Sequence, residues 1–121
     1  MVLNCEERDN LSHDDFKKCA FYSGDWESLR KLTEKEQKYD VILTSETIYS
    51  PASYSKLLNF FKTRLADDGI IYLAAKSYYF GVLGNILDFC DVLVKDGTFN
   101  YETVWKSADG LQREIISIKR N

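Results

Sequence analysis

The sequence has 121 residues (14.0 kDa), of which 45% are apolar and 29% charged, with one proline and six glycines. This suits one folded domain, or part of one, and excludes collagen-like, low-complexity and disordered classes. A formal net charge of −3 leaves no electrostatic footprint for direct nucleic-acid binding.

No apolar run approaches the roughly 18 residues that span a bilayer. No apolar core follows Met1 either, so neither membrane anchorage nor a secretory leader is expected. Cys5, Cys19 and Cys90 are odd in number and make no CxxC knuckle, which fits reduced thiols in the cytoplasm or nucleus. With His13 as the one histidine, no metal site is expected.

Residues 1–18 are polar and charged and read as a leader or surface loop; residues 19–121 carry the folded pattern. Cys19 to Tyr22 is short and aromatic, ends at Ser23-Gly24, and is expected to be a strand. Asp25 offers an N-cap for a helix over Trp26–Glu36, with Leu29 and Leu32 on its apolar face. Asp40 to Thr44 has consecutive apolar side chains, the pattern of a strand covered on both faces. Ser50-Pro51 is a helix start, with Ser as cap and Pro in the first turn. The helix it opens carries Tyr54, Leu57, Leu58, Phe61 and Leu65 as one stripe, and Asp67-Asp68-Gly69 is expected to stop it.

Ile70 to Ala75 is a further strand. A third helix is predicted over Gly84–Lys95, with Ile86, Phe89, Cys90, Leu93 and Val94 on one face. Residues 98–106 and 111–119 alternate like strands, and Ala108-Asp109-Gly110 between them signals a hairpin. Strands alternating with helices imply an α/β fold with a parallel sheet, closed here by an antiparallel pair.

In open α/β sheets, ligands bind beyond the carboxyl ends of the strands. The loops expected there are Ser23 to Trp26, Thr44 to Ser50 and Lys76 to Gly81, all dense in hydroxyls, carboxylates and aromatics. Each has a plain structural reading beside a functional one. Asp25-Trp26 is a capped helix start, or a carboxylate and ring for an adenine. Glu46 and Tyr49 are loop side chains in solvent, or a pair that holds a nitrogen nucleophile. Tyr78, Tyr79 and Phe80 are core aromatics or a substrate platform. No GxGxxG, GxxxxGK[ST], GxSxG or HExxH occurs.

Three runs carry a specific likeness: Phe21 to Trp26, Tyr39 to Pro51 with its Leu-Thr-Ser-Glu-Thr-Ile-Tyr block, and Leu73 to Val82. Over about Cys19 to Lys119, the chain resembles the C-terminal half of the histidine protein methyltransferase 1 homologues, members of the seven-strand methyltransferases that use S-adenosylmethionine. The resemblance implies a partial doubly wound, Rossmann-like methyltransferase sheet with a C-terminal hairpin and without its first two strands. In that family's sheet the absent strands lie between the segment at Ala20 and the strand at Val41, so an apolar edge is expected to stand open.

Carried over by the resemblance, Ser23, Gly24, Asp25 and Trp26 hold the adenine end of the cofactor, and Thr44 and Ser45 lie beside the methyl donor. Glu46 and Tyr49 face the substrate as catalytic residues. The implied substrate is a histidine of a large-subunit ribosomal protein, methylated on the tele nitrogen, with the protein in cytoplasm and nucleus. Two departures stand out: the Gly-rich cofactor loop is missing, and Leu83 interrupts the glycines after Phe80. They leave a second reading, a non-catalytic α/β module that binds a protein partner without cofactor.

Overall fold

The computed structural model describes residues 19–48, 50–76, 85–108 and 112–121. The elements run α1 (Trp26–Leu32), β1 (Tyr39–Ser45), a 3-10 turn (Pro51–Ser53) leading into α2 (Tyr54–Arg64), β2 (Leu65–Lys76), α3 (Ile86–Asp96), β3 (Phe99–Lys106) and β4 (Arg113–Arg120). The four strands form one sheet in the order β1-β2-β4-β3. β1 and β2 are parallel, whereas β2–β4 and β3–β4 are antiparallel. The mixed α/β sheet and its closing antiparallel pair match the sequence reading. Asp109 and Gly110 of the expected hairpin turn lie outside the described residues, as do residues 1–18, Tyr49, 77–84 and Leu111.

Pairing puts Ile71 opposite Ile118 and Leu73 opposite Ile116, so these four share one face of the sheet. All four are buried, in one core with Leu57, Phe61 and Leu65 from the α2 stripe and Ile86, Phe89 and Leu93 from α3. Tyr54, Leu57, Leu58, Phe61 and Leu65 are all buried as expected, but α2 ends at Arg64 rather than at Asp67-Asp68-Gly69, and Leu65 opens β2. α1 lies against α2, with Trp26 on Phe60 at 5.7 Å between ring centres. Among the described residues, all helices therefore cover this one face.

The opposite face carries Val41, Leu43, Tyr72 and Trp105, which are exposed. That corrects the expectation of a β1 strand covered on both sides, for Leu43 is 75% accessible. The apolar run at Asp40–Thr44 suits a strand with two covered faces, and the described residues cover only one.

The expected strand at Cys19–Tyr22 is absent, because a strand persists through ladder partners and no described strand lies beside it. α1 stops at Leu32 rather than Glu36, and Leu32 is exposed. The inner position passes to Thr33, whose buried hydroxyl donates to the Leu29 carbonyl and accepts from Arg64 Nε at 2.9 Å. Ser50 gives no side-chain cap; its carbonyl accepts from the Ser53 N–H instead. Val94 is exposed, because Ile86, Phe89, Cys90 and Leu93 already complete the i, i+3, i+4, i+7 stripe of α3. That helix has a cap the sequence reading passed over, Asn85, whose side-chain oxygen accepts from Asp88 N.

Asp67-Asp68-Gly69 is not a free turn. Tyr39 pairs with Leu65 and Val41 with Ile70, so the intervening residues bulge within β2. A Cβ at Gly69 would meet the Asp40 and Tyr39 carbonyl oxygens at 3.0 Å and Leu65 Cδ1 at 2.7 Å. Glycine sits there because the strands approach too closely for any side chain.

Candidate active site

The candidate residues gather around the carboxyl end of β1 and the start of α1. Asp25 is the N-cap of α1: its Oδ1 accepts from Ser28 N at 2.7 Å. Its Oδ2 faces Lys56 Nζ of α2 at 3.2 Å. The Ser28 N–H and hydroxyl, then the Lys56 ammonium, bring the Asp25 pKa down to about 2. Both oxygens thus have partners, and an adenine amine would share the carboxylate with Lys56. Gly24 has φ +146°, a conformation that suits glycine, and a Cβ there would meet Ser28 Cβ at 3.0 Å. Ser23 is exposed beside it.

Trp26 and Thr44, from the two expected cofactor segments, line the same cleft of about 640 Å³, which runs along β1. Its walls are otherwise largely apolar, including Leu29, Ile42, Phe60 and Phe61. Near the amino end of β1, the Glu36 carboxylate accepts from the hydroxyls of Tyr22 and Tyr39. Those hydroxyls, Tyr22 first, hold its pKa below the ordinary value.

Thr44 Oγ1 lies 2.9 Å from Thr47 Oγ1, tying the strand end to the following loop. Ser45 ends β1 and also borders the depression on the open face, with Leu43, Tyr72 and Ile115. Glu46 has φ +58°, a left-handed conformation unusual for glutamate, while its N–H donates to the Ala74 carbonyl at 3.0 Å. The ladder thus continues past the strand while the chain turns, and the Glu46 side chain is left exposed. Such outliers cluster at functional sites. Tyr49, the other expected catalytic residue, lies outside the described residues, as does most of the Lys76–Gly81 loop.

Tyr54 and Lys56 were not singled out for the site by sequence reasoning. The Tyr54 hydroxyl donates to the Ile48 carbonyl at 3.1 Å and accepts from the Asn85 N–H at 3.1 Å. It therefore fastens the loop after β1 to the segment entering α3. Its ring sits edge-on to Phe89, 5.3 Å between centres, and the apolar stripe masked its polar role in the sequence.

The fit to S-adenosylmethionine is one-sided. Trp26 gives the cleft an aromatic wall, whereas Asp25, bonded to Ser28 and Lys56, is not among its lining residues. Glu36 is the one charged residue that lines the cleft, so the described lining offers no cation for the carboxylate of a methionine moiety.

No family model matches the chain. Among curated proteins, it is 40% identical over 106 residues to the histidine protein methyltransferase 1 homolog of Dictyostelium discoideum, a match over 86% of this chain and 34% of the relative. The homolog of Mus musculus is 39% identical over 104 residues, 84% of this chain and 29% of the relative. The chain thus spans about a third of the length of the curated relatives it matches. Among solved structures, the fold resembles the crystal structure of M1.HpyAVI, with TM-score 0.52 and 17% identity over 82% of this chain and 54% of that one.

Proposed function

We propose that this chain, by sequence a relative of the histidine protein methyltransferase 1 homologues over about a third of their length, forms part of a protein-histidine methyltransferase. The observation that carries the reading is the 38–40% identity to those homologues over most of the chain. The methyl donor is S-adenosylmethionine, and the substrate is the tele nitrogen of a histidine in a large-subunit ribosomal protein. The protein acts in cytoplasm and nucleus.

Bound S-adenosylmethionine supplies a methyl group on a sulfonium, and transfer needs a lone pair aligned with the breaking bond, so positioning dominates. Trp26 and Asp25 would orient the adenine end, with Ser23 and Gly24 shaping the turn and Thr44 closing the cleft at the strand end, while the expected neighbour Ser45 borders the opposite face of the sheet. Glu46 accepts the N–H of the substrate imidazole at its proximal nitrogen. That leaves the lone pair on the tele nitrogen, and the carboxylate stabilises the positive charge that develops on the ring. The left-handed backbone at Glu46, one residue past the end of β1, and its exposed side chain support this role.

The first test is calorimetric titration of the purified, folded chain with S-adenosylmethionine, at concentrations that detect a Kd near about 1 mM. Saturable binding, with loss of methylation of a histidine peptide in Glu46→Gln at unchanged cofactor affinity, supports the assignment. If Glu46→Gln weakens cofactor binding alone, the role given to Glu46 is wrong. Absence of binding removes the cofactor site from this chain.

A further inference from the structure

Glu46 stands in a left-handed turn at φ +58°. A residue other than glycine persists there only where its surroundings fix the backbone on both sides. On the amino side, Glu46 N–H donates to the Ala74 carbonyl at 3.0 Å. On the carboxyl side, the Thr47 hydroxyl lies 2.9 Å from that of Thr44, and the wholly buried Ile48 offers its carbonyl to Tyr54.

Tyr54 is fixed independently of that loop. It opens α2, is 5% exposed, and packs its ring edge-on to Phe89 at 5.3 Å. Its oxygen accepts from the Asn85 N–H at 3.1 Å, which leaves the hydroxyl proton for a carbonyl. The Ile48 carbonyl, at 3.1 Å, is the nearer of two; the Asn85 carbonyl, at 3.3 Å, already accepts from the Phe89 N–H. Burial raises the pKa of this phenol above its ordinary value, so the proton stays in place near neutral pH.

We propose that Tyr54 is a positioning residue of the candidate site: its hydroxyl, carried by α2, holds the Ile48 carbonyl and so locks Glu46 in the left-handed turn. It acts through the loop, without touching cofactor or substrate. The use of the Glu46 carboxylate toward an imidazole rests on the methyltransferase reading, whereas the locking of the turn does not.

Amide exchange followed by NMR on the purified chain tests the lock. In Tyr54→Phe, exchange of the Glu46 N–H should quicken at least about tenfold more than that of Ile71 and Leu73 in the middle of the sheet. Glu46→Gly is the control, since glycine takes the left-handed turn unaided. On that background, Tyr54→Phe should quicken exchange at position 46 by less than about threefold. Equal quickening on both backgrounds, or quickening spread evenly over the sheet, assigns Tyr54 to packing alone and overturns the proposal. If Tyr54→Phe fails to fold, the unmodified chain decides. A slowly exchanging Tyr54 hydroxyl proton with a cross-peak to the Asn85 N–H then upholds the lock, and a freely exchanging one overturns it.

Methylation of a histidine peptide adds a second readout. Tyr54→Phe should lower kcat by about tenfold or more at unchanged cofactor affinity, and an unchanged kcat overturns the positioning role. A parent chain without turnover sinks the enzymatic reading instead, and leaves the exchange pattern to judge Tyr54.

Discussion

Lys56 Nζ lies 3.2 Å from Asp25 Oδ2, so the carboxylate that caps α1 is also tied to α2. Asp25 has a folded pKa of about 2 against an ordinary 3.8. A carboxylate with a depressed pKa stabilises the fold above its unfolded value, and that contribution fades as pH falls through the folded one. Asp25→Asn keeps the cap but loses the charge. Its melting temperature should be lower than that of the parent at pH 7, and the gap should close between pH 4 and about 2 in thermal melts. A gap that persists at pH 2 refutes the electrostatic account.

Glu46 occupies a left-handed conformation at φ +58°. Glycine adopts this backbone without the Cβ clash, so Glu46→Gly should raise stability by about 0.5–1 kcal/mol in urea unfolding. The same change should abolish any methylation. A loss of stability would mean that the exposed carboxylate has a structural partner.

Arg64 is buried at the end of α2 and donates to Thr33 Oγ1, to the Arg30 carbonyl at 2.7 Å and to the Thr63 carbonyl. Arg64→Ala leaves the buried Thr33 hydroxyl and the Arg30 carbonyl short of a donor and should cost about 1–3 kcal/mol. Denaturant titration measures it directly.

Gly69→Ala places a Cβ 3.0 Å from two backbone oxygens of β1. Because backbone rather than a mobile side chain must yield, a loss of about 1–3 kcal/mol is expected. A variant as stable as the parent would show that β1 and β2 separate there at little cost.

Burial pushes the Cys90 thiol up to about 11, with the Tyr101 side chain beside it. Cys90 should resist alkylation at pH 8 in the native state and react only on unfolding, whereas exposed Cys19 labels readily. Peptide mapping after iodoacetamide treatment separates the two.

The α2 and α3 stripes were legible because each buries a face at the helical period, and the hairpin strands from their β-type residues and the intervening turn signal, although β3 buries Phe99 alone. The segment at Cys19–Tyr22 was misread because its aromatic run signals β propensity, which says nothing about whether a neighbouring strand is present to pair. The exposure of Leu43 has the same origin: an all-apolar strand declares that both faces want cover, not that this chain supplies it. At the site, Asp25 was legible as a cap from its position before Trp26, but its partner Lys56 lies 31 residues away and left no local signal. The backbone twist at Glu46 was hidden as well, for glutamate carries no preference for that conformation.

The hydroxyl of Tyr54 spans two main-chain groups 37 residues apart, the Ile48 carbonyl and the Asn85 N–H. One oxygen thus sets the spacing between the exit of β1 and the entrance of α3, and α2 carries that oxygen. A substitution that shifts either the Ile48 carbonyl or the Asn85 N–H must therefore be matched at Tyr54, or one of the two backbone groups loses its partner.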